Sequence, residues 1–202
     1  SNSGYKLRLQ IADWYGCNAP SSFDLYGGGW LNYLKIHSKN KTIPSQVIEH
    51  VRGVYRGTVG EKSDVIGDSK YYLCIENSTD RLGYVTEKFF DALIHKSIPD
   101  SLGDQGISEF IPQSAFVDLR QFDGDIARLN RYLLEISQNE WEKKVEIIEQ
   151  KDRRFKGTFS YTDGTKNFFG VIHPDNVTIT WVASNSRGYN IGKLLDKNNI
   201  SA

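Results

Sequence analysis

The sequence predicts an α/β domain built on a mainly parallel sheet, and three observations carry this. Tyr71-Tyr72-Leu73-Cys74-Ile75 is an uninterrupted apolar run, the pattern of a strand buried on both faces. A polar loop from Ser78 to Gly83 follows, and then a helical stripe of Val85, Phe89, Leu93 and Ile94. A second apolar run, Ala115-Phe116-Val117-Asp118-Leu119, comes next. Strands alternating with helices in this way are the signature of a parallel sheet.

The remaining elements are read in chain order. Leu7, Ile11 and Trp14 recur at helical spacing, so residues 5–15 predict a helix. Ser22 to Tyr26 alternates like a short strand and stops at Gly27-Gly28-Gly29. Residues 30–45 read as a polar, Lys-rich excursion ending at Pro44, with Ser45 capping a short helix through Val51. Thr86 stands where an N-cap belongs. Residues 123–137 and 139–155 predict two amphipathic helices. Val177 to Ala183 predicts a late strand, and Ile191 to Leu195 a helical stretch behind it.

Composition narrows the function classes. The chain has 202 residues, of which 39% are hydrophobic and 12% aromatic, enough for a packed core. Lys+Arg 25 balances Asp+Glu 25, which argues against binding nucleic acid mainly through phosphate neutralisation and leaves room for a local basic pocket for one small anion. No run approaches the roughly 18–20 apolar residues of a membrane span, and the start lacks a signal-peptide pattern. Cys17 and Cys74 cannot frame a disulfide scaffold. His37, His50, His95 and His173 are scattered without ligand spacing. Asp123-Gly124-Asp125 is a D-x-D match at a predicted helix start, where capping is the expected role. The absence of Met and the opening Ser1-Asn2 read as an excised piece, or as a cloning scar.

The informative unit is Tyr72 to Ala92: strand, polar loop, helix start. In open α/β sheets ligands lie beyond the carboxyl ends of the strands, where the next helix begins. The free N–H groups of that helix attract anions, phosphate above all. Lys88 in the first turn adds a positive charge, and Glu87 can accept from ribose or sugar hydroxyls. Asn77 and Tyr84 bracket the loop with uncharged polar groups. Two plainer readings stand beside this one: a solvated Glu-Lys pair, and an Asn77 that bonds its own loop.

The segment resembles the donor-binding signature of the α-1,3-fucosyltransferases of glycosyltransferase family ten. The matching residues are Lys70-Tyr71-Tyr72, Glu76-Asn77-Ser78, and Tyr84-Val85-Thr86-Glu87-Lys88-Phe89-Phe90-Asp91-Ala92. Ser1-Asn2 followed by Arg8 resembles the family's S-N-x5-R element, and Asp24-Leu25-Tyr26-Gly27 its strand end. Tyr55-Arg56-Gly57, Gly60 and Lys62 resemble its G-x-x-G-x-K stretch. Ile98-Pro99, Gly103 and Phe110 to Phe116 resemble its later run. The resemblance covers about residues 1–120.

What the resemblance implies is a Rossmann-like parallel sheet, the donor-binding half of a GT-B fold, holding GDP-fucose for transfer to a GlcNAc-containing glycan acceptor with inversion. Residues 1–155 would be the GDP-sugar-binding domain, and 156–202 a C-terminal extension that packs on or completes it. Arg8 and Lys88 would grip the diphosphate, Glu87 and Asn77 would bind donor hydroxyls or ribose, and Tyr84 and Tyr55 would line the nucleotide site. No metal is expected, since two cations and a helix dipole offset most of the diphosphate's charge. No catalytic base is assigned. Asp100-Ser101-Leu102 departs from the family's aromatic pair and is expected to put a carboxylate near the donor pocket. Alternative readings are another GT-B transferase or a non-catalytic sugar-nucleotide module. Trp181-Val182-Ala183-Ser184-Asn185 resembles a strand leading into an S-N element, either by coincidence or because the ends are rearranged.

Overall fold

The computed structural model describes residues 3–77, 85–109, 111–150 and the strand segments 154–161, 164–172, 178–183, 190–196 and 199–201. Helix α1 (Ser3–Asn18) leads into β1 (Leu25–Tyr26), α2 (Trp30–Lys39), α3 (Ser45–Val54) and β2 (Tyr55–Gly57). Then come α4 (Ser63–Ile66), β3 (Tyr71–Ile75), α5 (Glu87–Ile94), β4 (Ile98–Leu102) and β5 (Val117–Asp118). Helices α6 (Ile126–Glu135) and α7 (Gln138–Gln150) follow. Two parallel sheets result, β1-β2 and β3-β4-β5. The second holds a β3–α5–β4 unit, so the expected α/β class with a Rossmann-like parallel sheet is what the chain adopts.

Helix α1 serves both sheets. Its Ile11 and Tyr15 pack with Ile75, Ile98, Val117 and Leu119 under the β3-β4-β5 sheet. Its Ala12 packs with Leu34, Ile48, Val51 and Val54 beneath β1-β2. A third apolar cluster joins Val85, Phe89, Phe90 and Leu93 to Ile107, Ile111 and Phe116, fixing α5 on the opposite face of the sheet. Alternation along β3 sets these faces: Tyr71, Leu73 and Ile75 join the α1 side, which leaves Tyr72, Cys74 and Glu76 toward α5. The buried Cys74 thiol accordingly donates to the Lys88 carbonyl at 3.2 Å.

Several elements differ from expectation. The Lys-rich excursion contains α2, because Leu34 is fully buried and Trp30 and Tyr33 pack beside it. Three apolar residues at helical spacing, Trp30, Tyr33 and Leu34, give this short helix a face to pack. Ser45 is the first residue of α3 and Pro44 holds the cap position, with no side-chain cap bond. Asp125 does cap α6, accepting from the Arg128 N–H at 2.9 Å.

The C-terminal part is an antiparallel meander of β6 (Arg154–Tyr161), β7 (Gly164–Ile172), β8 (Thr178–Ala183), β9 (Asn190–Asp196) and β10 (Asn199–Ser201). The late strand is β8. The helix expected over Ile191 to Leu195 is instead β9, paired with β8 so that Thr180 faces Ile191. A short segment containing Gly192 holds no helix alone, whereas the β8 ladder satisfies its backbone. Trp181 to Ala183 lie in β8; Ser184 and Asn185 lie outside the described residues.

Candidate functional site

The site forms where β3 ends and α5 begins. Register brings three segments together there. Ile75 pairs with Leu102, and the Glu76 N–H donates to the Leu102 carbonyl at 2.8 Å, so β3 and β4 end side by side. The first turn of α1 lies against the same end. A Cβ on Gly4 would meet the Glu76 carbonyl oxygen at 2.0 Å, so only glycine allows that approach.

This placement carries Arg8 to the strand end. Its Nη2 donates to the Ile75 carbonyl and, at 2.8 Å, to Asn77 Oδ1. The guanidinium lies 4.9 Å from the centre of the Tyr5 ring. Both Nη2 partners are neutral, so the Arg8 charge is not offset by a bonded carboxylate among the described residues. Its remaining N–H groups have no partner among those residues. Arg8 and Asn77, two of the expected site residues, are therefore in direct contact across a separation of 69 positions.

Lys88 is placed differently from expectation. Its ammonium donates to Glu76 Oε2 at 3.2 Å and to Thr86 Oγ1 at 2.9 Å. Glu76 is 3% exposed and also accepts from the Thr86 N–H and hydroxyl, each at 2.8 Å. Burying a carboxylate costs several kcal/mol unless it is paired and hydrogen-bonded, and this set of donors meets that need. Thr86 holds the N-cap position of α5 but makes no side-chain cap bond; its hydroxyl serves Glu76 instead. Lys88 is thus partly neutralised, and among the described residues one of its three N–H groups has no partner.

Glu87 accepts from Lys62 at 3.3 Å, and Asp91 from the same ammonium at 3.2 Å. Burial pushes the Glu87 carboxyl up, but Lys88 and Lys62 outweigh it and hold the group below its usual range. For Asp91 burial wins over Lys62, and its carboxyl stands above the usual range. The Tyr55 hydroxyl donates to the Gly27 carbonyl at 3.0 Å, which joins β2 to the turn after β1. Tyr84 lies outside the described residues.

The departure at Asp100-Ser101-Leu102 resolves by strand alternation. Ser101 faces α5, while Asp100 is 4% exposed on the opposite side. There its charge raises the hydroxyl pKa values of Tyr15 and Tyr71, secondary to their burial, each to about 12. Asp100 therefore does not supply the carboxylate expected near the pocket. A depression beyond the ends of β3 and β4 is lined by Glu76, Val85, Phe89, Ser101, Gly103, Asp104 and Ile107. Its second carboxylate is Asp104, which sequence reading passed over. The signal was available: an acid directly after the glycine that ends a strand lies at the sheet end where ligands bind. Among the described residues no three His, Cys, Asp or Glu side chains converge as a metal set.

A parallel sheet whose strand ends meet a helix N-terminus, with a guanidinium beside them, has the geometry at which α/β domains commonly hold anions. The family model for glycosyltransferase family 10 (fucosyltransferase), C-terminal, matches residues 33–150. That is more than half of the 202 residues, and the chain belongs to this family. It is similar to 4-galactosyl-N-acetylglucosaminide 3-alpha-L-fucosyltransferase 9 of Mus musculus, 33% identical over 76 residues, covering 37% of this chain and 21% of that protein. The Homo sapiens protein of the same name is 32% identical over the same length, with the same coverage. The chain spans about a fifth of the length of the curated relatives it matches. A solved structure, the crystal structure of an alpha1,3-fucosyltransferase, aligns with a TM-score of 0.40 at 23% identity, covering 61% of this chain and 35% of that one.

Proposed function

We propose that the chain is the donor-binding part of an inverting α-1,3-fucosyltransferase, the GDP-fucose half of a GT-B enzyme. In this reading a hydroxyl of a GlcNAc-containing glycan attacks the anomeric carbon of fucose. The bond from that carbon to the diphosphate oxygen breaks, and GDP departs. Negative charge grows on the leaving diphosphate. Arg8, the remaining N–H of Lys88 and the first-turn N–H groups of α5 stabilise it electrostatically. Asn77 and Glu87 bind donor hydroxyls or ribose, and Tyr55 and Tyr84 belong to the nucleotide side. The group that takes the acceptor proton is not assigned to this chain. Residues 1–155 form the donor domain and 156–202 its extension.

The observation that carries this reading is the Arg8–Asn77 contact at the end of β3. It joins the two signature elements at a place where a diphosphate can be held without a metal. A second reading, a sugar-nucleotide module without transfer activity, is favoured by the Lys88–Glu76 pair, which reduces the positive charge facing the phosphates.

Calorimetry with GDP, GDP-fucose, GDP-mannose and UDP-galactose tests the proposal. GDP and GDP-fucose are expected to bind, with affinity unchanged by EDTA. Heat from UDP-galactose alone would point to another transferase. GDP-fucose binding without donor hydrolysis or transfer, in a protein extended to the full length of its relatives, would favour the module.

A further inference from the structure

We propose that Asp104 recognises the donor substrate directly, accepting a hydrogen bond from an N–H or O–H group seated between β4 and α5. This inference rests on the nucleotide-sugar reading and deepens it. Asp104 is 4% exposed, and its Oδ2 has no hydrogen-bond partner among the described residues. Its Oδ1 accepts from the Gly106 N–H at 3.1 Å, which fixes the carboxyl plane. The preceding residue is fixed as well: Arg120 donates to the Gly103 carbonyl and is itself held by Asp118 at 3.1 Å. A rigidly placed carboxylate with one buried, unsatisfied oxygen lacks a donor.

The surroundings specify that donor. The other carboxylate of the depression, Glu76, is already bonded to Thr86 and Lys88. Among the described residues no Lys or Arg lines the depression, so none of them competes for Asp104. Val85, Phe89 and Ile107 supply apolar walls and Ser101 a hydroxyl. The depression is shallow and partly open to solvent. A group that presents N–H or O–H donors on one edge suits this chemistry. The 2-amino and N1–H edge of guanine and the hydroxyls of a sugar both qualify, and both belong to a GDP-sugar.

The test compares the wild-type chain with Asp104→Asn and Asp104→Ser in calorimetric titrations of GDP, inosine diphosphate and GDP-fucose. Thermal melts show that each variant folds. Asp104→Asn keeps the bond to Gly106 but turns an NH₂ toward the ligand's donor. The expected result is a 10- to 100-fold loss of affinity for GDP-fucose, as for a charge-assisted hydrogen bond. If the base edge is the donor, GDP loses equally, while wild-type and variant bind inosine diphosphate with a smaller difference. If a sugar hydroxyl is the donor, GDP and inosine diphosphate are unaffected. Equal affinity of folded wild-type and variants for all three ligands overturns the assignment and leaves the GDP-sugar reading standing. Failure of the wild type to bind any of them overturns that reading, and this assignment with it.

Discussion

At the residue scale, two buried or partly buried charges behave in opposite ways. Among the described residues Arg8 carries its charge on neutral partners, which leaves it suited to a diphosphate. Arg8→Ala is expected to weaken GDP binding by about 1.5–3 kcal/mol, the range of a charge-assisted hydrogen bond. GMP should lose less, since Arg8 faces the distal phosphate in this account. Calorimetry of both nucleotides checks it, and equal losses would place Arg8 elsewhere. Asp100 is a buried carboxylate whose Oδ1 has no partner among the described residues. Burial raises its pKa well above the usual range, and Lys144 opposes this only in part. The folded state therefore holds this proton where the unfolded chain, titrating near about 3.9, has released it. Stability from this group is complete below that pH and is lost as pH rises toward the folded pKa. Asp100→Asn, which removes the titrating carboxyl, should raise stability at pH 8 relative to the wild type. The gain should shrink toward pH 4. Urea unfolding at the two pH values measures this, and a constant difference would contradict it.

At the element scale, the junction of β3 and α5 depends on Glu76 as much as on the helix. Glu76 ties the strand end to Thr86 and Lys88 across the intervening loop. Lys88→Ala leaves that carboxylate without its counter-charge. With the Lys88 side chain 24% exposed, the loss should be about 1–3 kcal/mol, below that of a fully buried pair. Adding Glu76→Gln should recover part of the loss, and a double-mutant cycle in urea would read a coupling of about 1 kcal/mol or more. Gly4→Ala should be costly for a different reason, because its Cβ cannot share space with the Glu76 carbonyl. Moving α1 away would also displace Arg8, so GDP affinity and stability should fall together.

The strands and helices around this junction were readable because their signals are local. An apolar run of five residues and a stripe at helical spacing report β3 and α5 directly. Helix α2 was hidden because Leu34 is its one fully buried side chain while Leu31 and Ile36 are exposed, and β9 because its backbone bonds come from the preceding strand β8 and not from its own segment. In the site, Arg8 and Asn77 were read from motif spacing, and the structure joins them. The Glu76–Lys88 pair could not be read, since a motif shows which residues are present and not which bond one another. Asp100 was misplaced for a similar reason: strand alternation, fixed by register with β3, turns it away from the depression.

At the scale of the whole molecule, the central claim is that the carboxyl ends of β3 and β4 form a metal-independent GDP-sugar site within a chain of family 10. Its most direct test is the crystal structure of the chain grown with GDP in the presence of EDTA. The account predicts the diphosphate at the N-terminus of α5, within hydrogen-bond distance of Arg8, and the nucleotide bound without a bridging metal. GDP bound away from the β3–α5 junction, or bound there only when a divalent ion is restored, would contradict it.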